Sequence, residues 1–174
     1  MPDQQIEWNR VDVIAFDLFG TVFDMRYAPS EEIKAYAEHI RKPEWSPLRL
    51  PTAWQSMPAF SDSCDGIDRL RDDFCVVTCS NAPLGLQIAL CKHAGIQFDG
   101  MIPLELSRVF KTNPRAYLTI CDVMDVAPSR VLMVTANKTF GDLEASSSLG
   151  MQSVLIRGES RFSTIRDLAK EACG

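Results

Sequence analysis

The sequence predicts a three-layer α/β domain with a mostly parallel sheet. Three observations carry that reading. Short, nearly continuous apolar runs recur: "VDVIAF" (11–16), "FCVVTC" (74–79), "RVLMVT" (130–135) and "SVLIR" (153–157). Such runs suit strands buried on both faces. Helical segments lie between them, so strand and helix alternate. At 174 residues the chain suits one domain with a full core.

The elements follow in order. The first run ends in Asp17, with Gly20 and Thr21 just beyond. Residues 25–57 interrupt the alternation and read as a small insertion. They hold one amphipathic helix, "SEEIKAYAEHIRK", with Ser30 as N-cap and Glu31 and Glu32 at its positive end. Ile33, Tyr36, Ala37 and Ile40 form its apolar stripe, and Pro43 stops it. The proline-rich "PEWSPLRLPTAW" then reads as irregular. Residues 83–95 open on proline and close on Gly95. Residues 113–125 carry Pro114 in the first turn and Tyr117, Ile120, Cys121 and Met124 at helical spacing. A helix is expected from Asp142 to Gly150. Another spans 162–173, with Phe162, Ile165, Leu168 and Ala169 on one face. There are no internal repeats.

Composition narrows the function. Apolar residues are 46% and charged residues 24%, the balance of a globular protein. A net charge of −5 argues against a nucleic-acid surface, while a small anionic substrate depends only on local charge in a cleft. The six cysteines form no C-x-x-C pair and there are two histidines, so a zinc site has little to draw on. The thiols are expected to be reduced core residues. No apolar signal core opens the chain and no run approaches the roughly 20 residues of a membrane span. The expected setting is cytoplasmic, with no membrane partner.

Four polar constellations fall at or just past strand ends. Asp17 with Thr21 is either a turn-capping aspartate or a carboxylate held by turn N–H groups and a hydroxyl. Ser80 and Asn81 in "TCSNAP" either cap the next helix or hold an anionic group. Lys111 is either a solvated surface lysine or the counter-ion of a carboxylate. Asn137 and Asp142, in "VTANKTFGDLEASSSLG", either cap a helix or belong to the same site. A parallel sheet gathers such ends at one edge.

In this order the residues resemble the haloacid dehalogenase-like (HAD) hydrolase superfamily, from residue 11 to about 157. The matching positions are Asp17 on "DLFGT", Ser80, Lys111, and Asn137 with Asp142. The resemblance implies a Rossmann-like core of the three-layer kind, with residues 25–57 as a reduced cap. Phosphatases of the superfamily carry an aspartate two residues after the nucleophile. Phe19 stands there and has no proton to give a leaving group. "FDLFGTVFD", "TCSNAP" and the Lys111–Tyr117 spacing resemble the 2-haloacid dehalogenase branch.

That branch implies an aspartate nucleophile, a covalent ester and no metal. Asp17 would displace halide. Lys111 would keep it ionised. Thr21, Ser80 and Asn81 would orient it and the substrate carboxylate. Asn137 and Asp142 would position Lys111 and a water, and Tyr117 would support the lysine. An arginine receives the halide, for which Arg26, Arg41 and Arg49 are candidates. Two features depart from the branch: Asn137 and Asp142 are five apart, as in the phosphatases, and the insertion is short. They keep two other functions in view, a Mg²⁺-dependent phosphatase with altered motifs and a non-catalytic binding protein. A thin cap also suggests a homodimer, on fold analogy.

Overall fold

The apolar runs lie side by side as four parallel strands in a computed structural model that describes residues 5–174. They are β1 (Val13–Phe16), β2 (Cys75–Thr78), β3 (Val131–Thr135) and β4 (Gln152–Leu155), in the order β2-β1-β3-β4. The helices are α1 (Ser30–Ile40), α2 (Ser63–Arg71), α3 (Leu84–Ala94), α4 (Pro114–Met124), α5 (Asp142–Ser148) and α6 (Ile165–Ala172). Alternate strand residues feed two cores. Val13 and Ala15 pack with Val77, Met133 and the α4 residues Ala116, Tyr117 and Ile120. Ile14 and Phe16 pack with Val76, Val134 and residues of α2, α3 and α6 such as Ile67, Leu90 and Leu168. The protein is thus an α/β three-layer sandwich.

Phe16 lies opposite both Thr78 and Val134, so three strands end level. From β1 the chain moves outward to β2 on one side and to β3 and β4 on the other. That reversal creates a crevice at the carboxyl ends of the strands. Among the described residues no helix is long and apolar enough to cross a membrane, and all six cysteines are free thiols.

Residues 25–57 fold over this crevice. After a short 3-10 turn, Met25–Tyr27, α1 runs to Ile40. An irregular stretch then leads to a second 3-10 turn, Thr52–Ser56. The fully buried Trp54 donates its indole N–H to Glu32 at 2.6 Å, joining the two ends of the segment. The rings of Tyr36 and Trp54 both meet Phe19 edge-on, at 5.4 and 5.3 Å between centroids. An aromatic cluster therefore fixes the segment to the loop after β1.

Two local expectations are corrected, and one helix is new. Ser30 is the first helical residue rather than the N-cap; Pro29 takes that place and sets the entry angle without a side-chain bond. Phe162 lies before α6 and bridges to Ile156, because Thr164 and Asp167 form a capping box that starts the helix later. The helix α2 has little sequence signal, since "SCDGIDRLR" contains a glycine and four charges. Its reason is tertiary. A β-carbon on Gly66 would stand 2.7 Å from Ile165 Cγ2 and 3.1 Å from the Arg166 amide nitrogen, so glycine allows α2 and α6 to touch.

Gly66→Ala is expected to cost about 1–3 kcal/mol through overpacking. Gly85→Ala in α3, where nothing lies within 4 Å, is expected to be neutral or stabilising by up to about 1 kcal/mol. Urea unfolding midpoints check the pair. Equal midpoints would contradict the close approach.

Candidate active site

Asp17 follows β1 directly, and its N–H still donates to Val134 O at 3.0 Å. The chain must then turn sharply. Leu18 O accepts from the N–H groups of Thr21, Val22 and Phe23, and Gly20 takes a φ of +81° that an L side chain resists. The turn folds Thr21 back beneath Asp17. Thr21 Oγ1 donates to Asp17 Oδ2 at 2.8 Å and accepts from the Ala136 N–H at 2.9 Å. One hydroxyl thus ties the carboxylate to the loop after β3.

Lys111 reaches the other oxygen. Its Nζ donates to Asp17 Oδ1 at 2.8 Å and to Asp142 Oδ2 at 3.2 Å. The lysine side chain is 1% exposed, that of Asp142 0% and that of Asp17 11%, so the nucleophile candidate is the member that meets solvent. Asp142 begins α5 but does not cap it. Its Oδ1 accepts from the Tyr117 hydroxyl at 2.6 Å, and its Oδ2 also accepts from Thr135 Oγ1 at 3.2 Å. Tyr117 therefore supports the lysine through Asp142.

Asn81 accepts the Lys111 backbone N–H on Oδ1 at 2.8 Å, which fixes the lysine loop. Its Nδ2 is buried with no partner. A buried amide donor left unpaired is costly, and an anionic ligand would satisfy it. The buried Ser80 Oγ accepts from the Ala82 N–H at 3.1 Å, which shapes the turn and leaves its own proton free to donate. Phe19 is buried in the aromatic cluster.

Asn137 departs from its expected role. It is exposed, and only its backbone N–H reaches toward the site, donating to Thr135 Oγ1 at 3.1 Å. The long loop to Asp142 carries its amide outward. Tyr117 and Thr135 fix Asp142 instead. Sequence marks Thr135 only as a strand end and Tyr36 only as part of an apolar stripe. Both belong here, because the Tyr36 hydroxyl lies near Asn81 and within the field of Lys111 and Asp17. Arg157 is also missed by sequence reasoning. It donates to Thr21 O at 2.9 Å and forks onto Asp62, buttressing the turn from behind.

The electrostatics follow from burial and charge. Burial pushes the Asp17 carboxyl pKa up; Lys111 opposes that and Asp142 adds to it, leaving it above the ordinary range. Burial disfavours the Lys111 ammonium, but Asp142 and Asp17 outweigh burial and hold its pKa well above the usual lysine value. Burial also raises the Tyr117 phenol and pushes the neighbouring Cys79 thiol up to about 12, so both stay neutral.

A divalent metal fits this donor set poorly. The ammonium already lies between the two carboxylates, and both Asp142 oxygens are engaged. Among the described residues no group of three or more histidine, cysteine, aspartate or glutamate side chains could hold a metal ion.

No protein-family model matches the chain. It is 27% identical to an (S)-2-haloacid dehalogenase of Xanthobacter autotrophicus, across 91% of this chain and 79% of that protein. It is 25% identical to (S)-2-haloacid dehalogenase 4A of Burkholderia cepacia, across 62% of this chain and 47% of that protein. Its fold is similar to that of L-2-haloacid dehalogenase from Xanthobacter autotrophicus with chloropropionic acid covalently bound. The TM-score is 0.76 at 17% identity, covering 94% of this chain and 99% of that one. These likenesses, in sequence and in fold, are to 2-haloacid dehalogenases, and they agree with the resemblance that the motifs carry. The stretch matched to the first Xanthobacter relative runs to 204 positions, longer than this 174-residue chain. That relative therefore carries internal segments absent here.

Lys111→Met is expected to destabilise the fold by about 3–5 kcal/mol at pH 7, since it leaves two buried carboxylates without their shared cation. With the ammonium gone, the raised Asp17 pKa rises further. Such a group supports stability below its unfolded pKa and loses that support as pH climbs through the folded one. The deficit relative to wild type should shrink toward about pH 4, near the unfolded carboxylate pKa. Chemical unfolding at both pH values checks this; an equal deficit would contradict it.

Proposed function

We propose that this HAD-superfamily protein is a metal-independent hydrolase of 2-haloalkanoates that uses Asp17 as nucleophile. The observation that carries the reading is a buried carboxylate held in place by Lys111 and Thr21, with Phe19 where an acid would stand. An alkoxide leaving group needs that acid; a halide does not. The covalently bound chloropropionic acid of the Xanthobacter structure supports the same chemistry.

An oxygen of Asp17 forms a bond to C2 as the carbon–halogen bond breaks and halide leaves with its electron pair. Lys111 and Thr21 each take one lone pair per oxygen, which fixes the carboxylate plane and leaves another pair free. Water then attacks Cγ of the ester. The acyl C–O bond breaks, the 2-hydroxy acid departs with a proton from that water, and Asp17 is restored. Lys111 offsets charge on the ester oxygen in this step. Asp142 has no exposure, so its part is to hold the lysine. The free Asn81 amide and the Ser80 hydroxyl offer donors to the substrate carboxylate or the halide. Of the three arginine candidates, Arg26 is bonded to Asp24 and Arg49 lies off the cavity that reaches Lys111; Arg41 lines it.

Purified protein should release halide from 2-chloropropionate equally with and without a chelator. Asp17→Asn should lower kcat by at least about 10³-fold. Chelator-sensitive turnover, or none beside hydrolysis of an aryl phosphate, would favour the phosphatase reading.

The acid limb of the pH profile should lie above the ordinary carboxylate range, because Asp17 must ionise against burial and Asp142. Asp142→Asn removes one charge that raises the Asp17 pKa, so the limb should move to lower pH. A limb that stays in place would contradict the coupling.

A further inference from the structure

A cavity of about 480 Å³ opens beside Lys111 between the insertion and the loop 108–113. Arg41, Lys42 and Arg108 line it, and no carboxylate does. None of the three cations pairs with a carboxylate among the described residues. Elsewhere the pattern differs. Every other arginine except Arg49 has a carboxylate partner within 4.0 Å. In a chain of net charge −5, two of the three arginines without a carboxylate partner, together with Lys42, line this one cavity.

The wall is built rather than incidental. Trp45 and Phe110 stack at 6.4 Å with 28° between planes, and Arg108 lies 5.9 Å above the Trp45 ring. Arg108 holds a φ of +50°, a backbone state that a residue with a β-carbon seldom adopts. Phe140 closes the side nearest the lysine. The volume is in the range of pockets that hold molecules much larger than a three-carbon acid. The donors at Asn81, Ser80 and Arg41 already suffice for one carboxylate and one halide, so Lys42 and Arg108 have no task toward a short substrate.

Building on the dehalogenase reading, we infer that this cavity binds a second anionic group, and that the substrates are chain-extended 2-halo dicarboxylic acids. The reacting end lies at Asp17, the carbon chain runs over Trp45 and Phe110, and the distal carboxylate meets Lys42 and Arg108. The attraction is between solvated charges and weakens with added salt.

The test compares 2-bromohexanedioate with 2-bromohexanoate, equal in chain length, and measures calorimetric binding of the unreactive hexanedioate and hexanoate. At low salt kcat/KM should favour the dianion by roughly fivefold to tenfold. That ratio should fall toward one in Lys42→Gln, in Arg108→Gln and in high salt. Hexanedioate should bind more tightly than hexanoate to wild type, and the difference should vanish in both variants. If hexanedioate binds so while no haloacid loses halide, the cavity assignment stands and the dehalogenase reading falls. If halide is released but the dicarboxylate has no advantage in binding or turnover, or keeps it in both variants, the cavity assignment is overturned.

Discussion

One buried ammonium holds this site together. Lys111 Nζ lies between Asp17 and Asp142, the three side chains coming from the loop after β1, the loop before α4 and the first turn of α5. Removing these charges from water is costly, and only short, multiple contacts offset the cost. The surroundings meet that demand. Thr21, Tyr117 and Thr135 satisfy the remaining carboxylate oxygens, and Asn81 fixes the lysine backbone. Net negative charge in the cluster keeps the lysine protonated, while burial makes Asp17 a stronger base than an exposed aspartate. A carboxylate that is oriented and poorly hydrated follows from those same facts, which is what the proposed nucleophile requires.

The fold supplies the rigidity that this arrangement needs. Parallel strands of matched register bring the ends of β1 and β3 level, and the N–H of Asp17 remains part of the sheet. Behind the turn, Arg157 links Thr21 O to the buried Asp62, whose carboxylate also receives the Ile165 N–H at 2.7 Å. The starts of α2 and α6 thus brace the loop that carries Asp17. Above it, Tyr36 and Trp54 press on Phe19. Phe19 accordingly has two consequences: it leaves no acid two residues after Asp17, as the proposed halide leaving group allows, and it anchors the short insertion over the crevice.

Much of this is legible in the sequence, for reasons that can be named. Strands buried on both faces leave continuous apolar runs, so all four are visible. Polar residues just beyond such runs must be held or solvated, which marks Asp17, Ser80, Asn81 and Asp142. What escapes is whatever depends on a partner distant in sequence. The helix α2 is invisible because Gly66 serves a contact with Ile165, ninety-nine positions away by number. Tyr36 looks like core because its ring is core; only its hydroxyl faces the site. Arg157 looks like a strand-end charge until Asp62 is seen opposite. Asn137 misleads in the other direction, since its residue type suits the site while the loop length carries its amide into solvent.

The central claim is that an oxygen of Asp17 bonds to substrate carbon and that water later attacks the aspartyl carbonyl. A single turnover of excess enzyme with 2-chloropropionate in H₂¹⁸O reads this directly. The account predicts unlabelled 2-hydroxypropionate and one ¹⁸O in the peptide that contains Asp17. Labelled product with an unlabelled aspartate would mean that water attacks the substrate itself, and would contradict it.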